Sequence, residues 1–221
     1  GNTIHVNTGT YYENDACYLS QGVNLIGNGS DKSIIISSYD NGDPTSSYTI
    51  LGLLNLRSNS QNTNGNQRIS GIKFDGNNLT GNCAIIIYNR GHVQIDNCHF
   101  KDFKYIGIYL HDTPSWYTEP TNYAEGNWIH HNILDNCAYA DMTPDPVLWG
   151  SIQFGGQKDF IIENNEFYNT TRYGRYNGTA IEGNKGFHKG LIIRNNKFYR
   201  ADDNDTQWNF FWEIFRIRGG C

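Results

Sequence analysis

The chain has 221 residues, a formal net charge of −5, and only 18% charged residues. This length suits one sizeable domain or an elongated repeat. The acidic balance without a basic block argues against a nucleic-acid surface, and no run of about eighteen apolar residues provides a membrane-spanning helix. The abundance of Gly, Asn, Thr and Tyr favours strands and tight turns, and no long window holds apolar residues at a 3.6-residue period.

Short strand-like phrases recur along the chain. An early, loose one is GVNLIGNGSDKSIII at 22–36. Five tighter copies follow: ISGIKF (69–74), IDNCHF (95–100), IHHNIL (129–134), IENNEF (162–167) and IRNNKF (193–198). Their closing residues, Phe74, Phe100, Leu134, Phe167 and Phe198, are spaced by 26, 34, 33 and 31 residues. A second set of alternating phrases is interleaved with them: LLNLRS (53–58), AIIIYN (84–89), GIYLHD (107–112), SIQFGG (151–156), TAIEGN (179–184) and EIFRIRGG (213–220). Each unit thus holds short strands around an Asn-rich corner. No such strand is stable alone; stacked on its neighbours it pairs in a parallel sheet and buries one face.

The corner residues have a physical reading. Asn tolerates the left-handed conformation that a sharp corner demands, and stacked Asn side chains can bond from coil to coil. Asn97, Asn164 and Asn195 share one column, with His131 in the same place. Asn132, Asn165 and Asn196 share the next, together with Cys98 and Ile72. The aromatic column is expected to stack inside. Five cysteines match no zinc spacing, and Cys98 and Cys137 read as buried free thiols.

These repeats resemble the right-handed parallel β-helix of the pectate-lyase-like superfamily, and the resemblance spans nearly the whole chain. The opening GTYYEN…GVNLIGNGSDKSIII is similar to the first coils of such proteins. The implied fold is all-β: residues 1–221 form one solenoid of six or seven coils. The abrupt start and stop read as a core lacking its terminal caps, so flanking domains of a longer chain, or association at an end, are expected. A second resemblance, carried by the Asn, Tyr and Trp-bearing loops, is to archaeal cell-surface disaggregatases, β-helix proteins that dissolve a chondroitin-like matrix.

The resemblance implies a substrate groove along the strand of the second set, walled by turns on either side. In this sequence long insertions flank that strand, at 112–126, 137–150, 169–178 and 201–212. They carry Trp116, Tyr117, Tyr123, Trp149, Tyr173, Tyr176, Trp208 and Trp212, rings able to stack on sugars. Alternation places Leu110, Phe154 and Ile217 inside, which sends Tyr109, His111, Gln153, Arg216 and Arg218 outward, with Arg57 and Glu182 in the same set. Such a row suits an extended, acidic polysaccharide. A lyase would draw its base and its carboxylate-neutralising cation from Arg216, Arg218, Lys185, His188, His111 and Tyr109. A hydrolase would draw two carboxylates from Glu182, Asp112, Asp141, Asp145, Asp202 and Asp203.

The catalytic candidates are therefore Glu182, Arg216, Arg218, His111 and Asp112. The substrate-binding candidates are Tyr109, Gln153, Trp116, Trp149, Tyr173, Trp208 and Trp212. The polygalacturonase pattern is only partly present: RIR stands at 216–218, but NTD and GHG are missing. The acidic calcium cluster of pectate lyases has no match, so no cofactor is expected, with calcium the one metal left open. Five Asn-X-Ser/Thr sites, at Asn28, Asn78, Asn169, Asn177 and Asn204, fit a secreted or cell-surface protein. The expected activity is depolymerisation of an acidic polysaccharide by a lyase or glycoside hydrolase. The alternative is a non-catalytic glycan-binding, adhesive or structural module.

Overall fold

A computed structural model describes residues 1–40, 51–79, 83–111, 119–138, 150–169, 179–185, 187–200 and 215–217. The described residues contain strands and turns but no helix. They build three seven-stranded sheets, each paired in parallel throughout. Sheet A comprises Asn2–Val6, Val23–Gly27, Thr63–Ser70, Arg90–Asp96, Trp128–His130, Ile161–Glu163 and Ile192–Arg194. Sheet B comprises Gly9–Glu13, Ser33–Ser37, Lys73–Asp75, His99–Lys101, Ile133–Asp135, Glu166–Asn169 and Lys197–Arg200. Sheet C comprises Cys17–Tyr18, Gly52–Arg57, Cys83–Tyr88, Ile106–His111, Gly150–Gly155, Thr179–Lys185 and Phe215–Ile217. The chain visits the sheets in turn, one strand each per coil, giving a right-handed parallel β-helix of seven coils among the described residues.

Register follows from the repeat. Ile69, Ile95, Ile129, Ile162 and Ile193 align across sheet A. Phe74, Phe100, Leu134, Phe167 and Phe198 align across sheet B. Both columns point into one core cluster, joined by Ile85, Ile108, Ile152, Leu110 and Phe154 of sheet C. Phe74 and Phe100 stack at 5.5 Å and 3°, and Phe167 and Phe198 at 5.0 Å and 16°. Burying such a ring is worth about 2–3 kcal/mol, so this column is a principal source of stability.

The corner between sheets A and B takes the predicted form. Gly71, Asn97, His131, Asn164 and Asn195 all have φ between 52° and 68°. The following residues form the ladder. Asn132 Oδ1 accepts from the Cys98 N–H at 3.0 Å, Asn165 Oδ1 from the Asn132 N–H at 3.0 Å, and Asn196 Oδ1 from the Asn165 N–H at 2.9 Å. Their amide nitrogens donate back to Ile95, Ile129 and Ile162 carbonyls. Backbone groups that the turn would otherwise orphan are thereby satisfied inside the protein. Cys98 and Cys137 are buried free thiols, as expected; burial pushes the Cys98 thiol up to about 12.

The corner between sheets C and A uses a different device. Asn89 turns the chain at φ 59°. Next to it Arg90, buried, donates to the Ser58 hydroxyl, the Gln67 amide oxygen and the carbonyls of Leu19 and Arg57. These neutral acceptors tie three successive coils together, and burial pulls the Arg90 pKa below its usual value.

Candidate functional site

The outward side of sheet C holds an in-register row. Tyr18, Asn55, Ile86, Tyr109, Gln153, Glu182 and Arg216 are consecutive Cα partners across seven coils. The neighbouring row, Leu56, Ile87, Leu110, Phe154, Gly183 and Ile217, alternates to the inside. The outward row changes character along the stack. Asn55 bonds its own coil and the one before it, accepting from the Gly52 N–H and donating to the Gly52 and Cys17 carbonyls. Ile86 and Tyr109 then belong to a small apolar cluster with Cys83, Tyr105, Ile106 and Ala138. Beyond it come Gln153, Glu182 and Arg216.

This face is closed rather than open. Tyr109 and His111 are 3% and 4% exposed, and Gln153 and Glu182 are 0% exposed. A one-residue-wide polar strip has therefore been taken out of water. Both polar atoms of the Gln153 amide lie buried without a hydrogen-bond partner among the described residues, and so does the Thr179 hydroxyl. An unmet buried polar group costs about 1–3 kcal/mol, which marks this part of the sheet as built for something other than stability. The Glu182 Cβ lies under Gly150, where a Cβ would come within 2.9 Å of it. Only glycine leaves Glu182 its place.

His111 completes an aromatic wall. Its ring stacks on Tyr88 at 5.3 Å and leans on Tyr109 at 5.6 Å, while the Arg57 guanidinium sits 6.0 Å over Tyr88. The structure thus brings Tyr109, His111, Gln153 and Glu182 together on one face, with Arg216 placed in register by its backbone. Arg218, Asp112, Trp116, Trp149, Tyr173, Trp208 and Trp212 lie outside the described residues. The same holds for Tyr117, Tyr176, Asp141, Asp145, Asp202 and Asp203, and for the side chain of Lys185. His188 does not join the row. It packs edge-on against the core ring of Phe154 at 4.8 Å, and desolvation lowers its pKa to about 4. It is a half-buried residue whose ring packs on the core, and burial favours its neutral form. Tyr123, one of the loop rings, is buried too; its hydroxyl donates to Glu119 at 2.8 Å, and Lys189 binds the same carboxylate at 2.7 Å.

Two features stand outside the candidates drawn from the sequence: Tyr88, which walls this face, and a second polar row on the outer side of sheet A. Arg68 bonds Asp96 through two nitrogens at 2.7 and 2.8 Å, with Ser70, Gln94 and Asn97 on the same carboxylate. Burial raises the Asp96 pKa, but these hydrogen bonds and the Arg68 charge outweigh it, leaving the group below the usual carboxylate range. His130 and His131 face each other, Nδ1 to Nδ1, at 2.8 Å, and the Gln94 amide nitrogen lies 2.9 Å from His130 Nε2. Because that amide is a donor, His130 Nε2 accepts and its Nδ1 carries the proton. Burial lowers the His130 pKa, in line with this neutral form. Glu163 accepts from Trp128 at 3.0 Å and from Arg194 at 2.5 Å. The signal for this row is in the repeat copy: if Ile129 points in, Trp128 and His130 point out. Among the described residues no group of three or more His, Cys, Asp or Glu is arranged to hold a metal ion. No described helix is long and apolar enough to cross a membrane.

Residues 59–206 match the family model described as the right handed beta helix region. The chain belongs to that family. No curated protein matches it. Similar solved structures include ORF18 of Geobacillus virus E2, with 14% identity and a TM-score of 0.41, covering 96% of this chain and 54% of that one. The A-module of the Azotobacter vinelandii mannuronan C-5 epimerase AlgE4 shows 12% identity and a TM-score of 0.44, covering 90% of this chain and 61% of the module. An alginate lyase from Paenibacillus shows 12% identity and a TM-score of 0.38, covering 100% of this chain and 93% of the lyase. This β-helix therefore spans little more than half the length of the first two.

Proposed function

We propose that this β-helix is a secreted or cell-surface domain that depolymerises an acidic polysaccharide along the outward face of sheet C. The observation that carries the reading is the row Tyr109–Gln153–Glu182–Arg216, one residue per coil on four consecutive coils. Coils repeat at about 4.8 Å, so the row sets its side chains at a regular step along the solenoid, the kind of spacing an extended chain would match. Glu182, removed from water, is our candidate for the group that gives a proton to the glycosidic oxygen or takes one from a ring carbon. Arg216, the register partner of Glu182 one coil on, is our candidate for the cation that neutralises a uronate carboxylate. The orphaned Gln153 amide offers one donor and one acceptor to a sugar hydroxyl. The Asn-X-Ser/Thr residues Asn28 and Asn78 are exposed, which supports the surface placement.

The test is a panel of acidic and neutral polysaccharides. New absorbance of unsaturated uronates marks elimination, and new reducing ends without it mark hydrolysis. Glu182→Gln and Arg216→Ala should each abolish the product while the chain stays folded. Unchanged cleavage by both variants overturns the assignment. A second reading, a non-catalytic glycan-binding or structural module, is favoured by the closure of the row, since an open groove would leave Gln153 and Glu182 in contact with water. It predicts binding without either product.

A further inference from the structure

The outer side of sheet A carries a stripe that the charged row beside it does not use. Trp128, Ile161 and Ile192 are register partners on three consecutive coils. Trp128 is 36% exposed and Ile192 43%, while Ile161 is half-buried between them. The indole is held rigidly. Its ring lies on His130 at 3.9 Å and 32°, and its single polar atom, Nε1, is bound to Glu163, itself fixed by Arg194. The rest of the ring is carbon, with no further polar atom to satisfy. Along its flank the charges cancel in pairs, Arg68 with Asp96 and Arg194 with Glu163.

We propose that Trp128, with Ile161 and Ile192, forms a second, non-catalytic glycan site for an uncharged linear sugar chain. Three observations choose this occupant. The stripe is one side chain wide and three coils long, far short of the roughly 800 Å² per partner that a stable protein interface buries. The four charges paired next to it, Arg68 with Asp96 and Arg194 with Glu163, sum to zero, so these pairs give no net field to draw a polyanion or polycation. A pyranose, in contrast, offers a flat C–H face to an immobilised ring and hydroxyls to polar groups at the edge. One such group is here: Arg194, bound to the buried Glu163 through Nε, has a 58% exposed side chain with further N–H donors. The site lies on a different sheet from the Glu182 row and does not depend on that row being catalytic.

The experiment is a calorimetric titration of the folded chain with neutral hexasaccharides of β-linked glucose, mannose and galactose. At least one should bind, with an affinity that changes little across a tenfold range of salt. Trp128→Ala should weaken it by about tenfold or more, equivalent to about 1.4 kcal/mol. Trp128→Phe should restore part of the loss, and Glu182→Gln should leave it unchanged. The thermal transition of Trp128→Ala shows that the fold persists. The proposal is overturned if none of the three sugars binds at millimolar concentration, if Trp128→Ala binds as the parent does, or if Glu182→Gln removes the binding. Failure of cleavage on acidic polysaccharides would leave it standing.

Discussion

The outer faces of sheets A and C carry rows of similar composition with opposite bookkeeping. On sheet A the row Ser70, Asp96, His130, Glu163 and Arg194, with Arg68 reaching in from the line beside it, satisfies itself: each carboxylate meets a guanidinium and at least one further donor. On sheet C the Gln153 amide and the Thr179 hydroxyl are buried without partners among the described residues, beside a carboxylate with no exposure at all. A saturated row reads as scaffold, because its polar groups already have what they need. A row with unmet groups reads as a site.

Substitutions can break this comparison, and the largest effect belongs to sheet C. Glu182→Gln should lower cleavage of a responsive polysaccharide by about 10²–10⁴-fold, the usual contribution of a positioned acid or base. Glu163→Gln, the matching change on sheet A, should leave the rate unchanged and weaken the fold. Equal effects on the rate would erase the distinction between the faces. Next in size is Asn165→Ala. It removes the acceptor of the Asn132 N–H and the donor to the Ile129 carbonyl inside the protein. Two orphaned groups at about 1–3 kcal/mol each predict a loss on the order of 3 kcal/mol, read from denaturant unfolding.

Acid sharpens the comparison further. His188, packed against Phe154, is held neutral with a pKa of about 4, against about 6.5 when unfolded. A lowered pKa means that the unfolded chain binds the proton first. The stability it contributes is present above about pH 6.5 and is lost as pH falls toward 4. His130 acts in the same direction on sheet A. Over that window the His188 contribution is on the order of 3 kcal/mol. His188→Leu should flatten the decline in melting temperature between pH 6.5 and 4, and an unchanged slope would place the proton uptake elsewhere. The smallest effect is expected at the exposed pair Lys197–Glu166, where Lys197→Ala should change stability by less than about 1 kcal/mol.

Much of the fold is legible in the amino-acid sequence. The recurrence of IENNEF and its relatives determines three short strands per coil, an inward Ile, an inward aromatic and a left-handed corner at Asn97, Asn164 and Asn195. It does so because each coil repeats the same local demands on neighbours at a fixed spacing. Alternation likewise determines that Tyr109, Gln153 and Glu182 share the outward side of sheet C. Only the tertiary structure decides that this side is closed, that His188 packs against Phe154 and not in the row, and that Glu163 pairs with Trp128 and Arg194. Those outcomes depend on which coil lies above which and on how long the intervening segments are. A local repeat leaves both free, whereas burial and charge pairing are properties of the assembled stack.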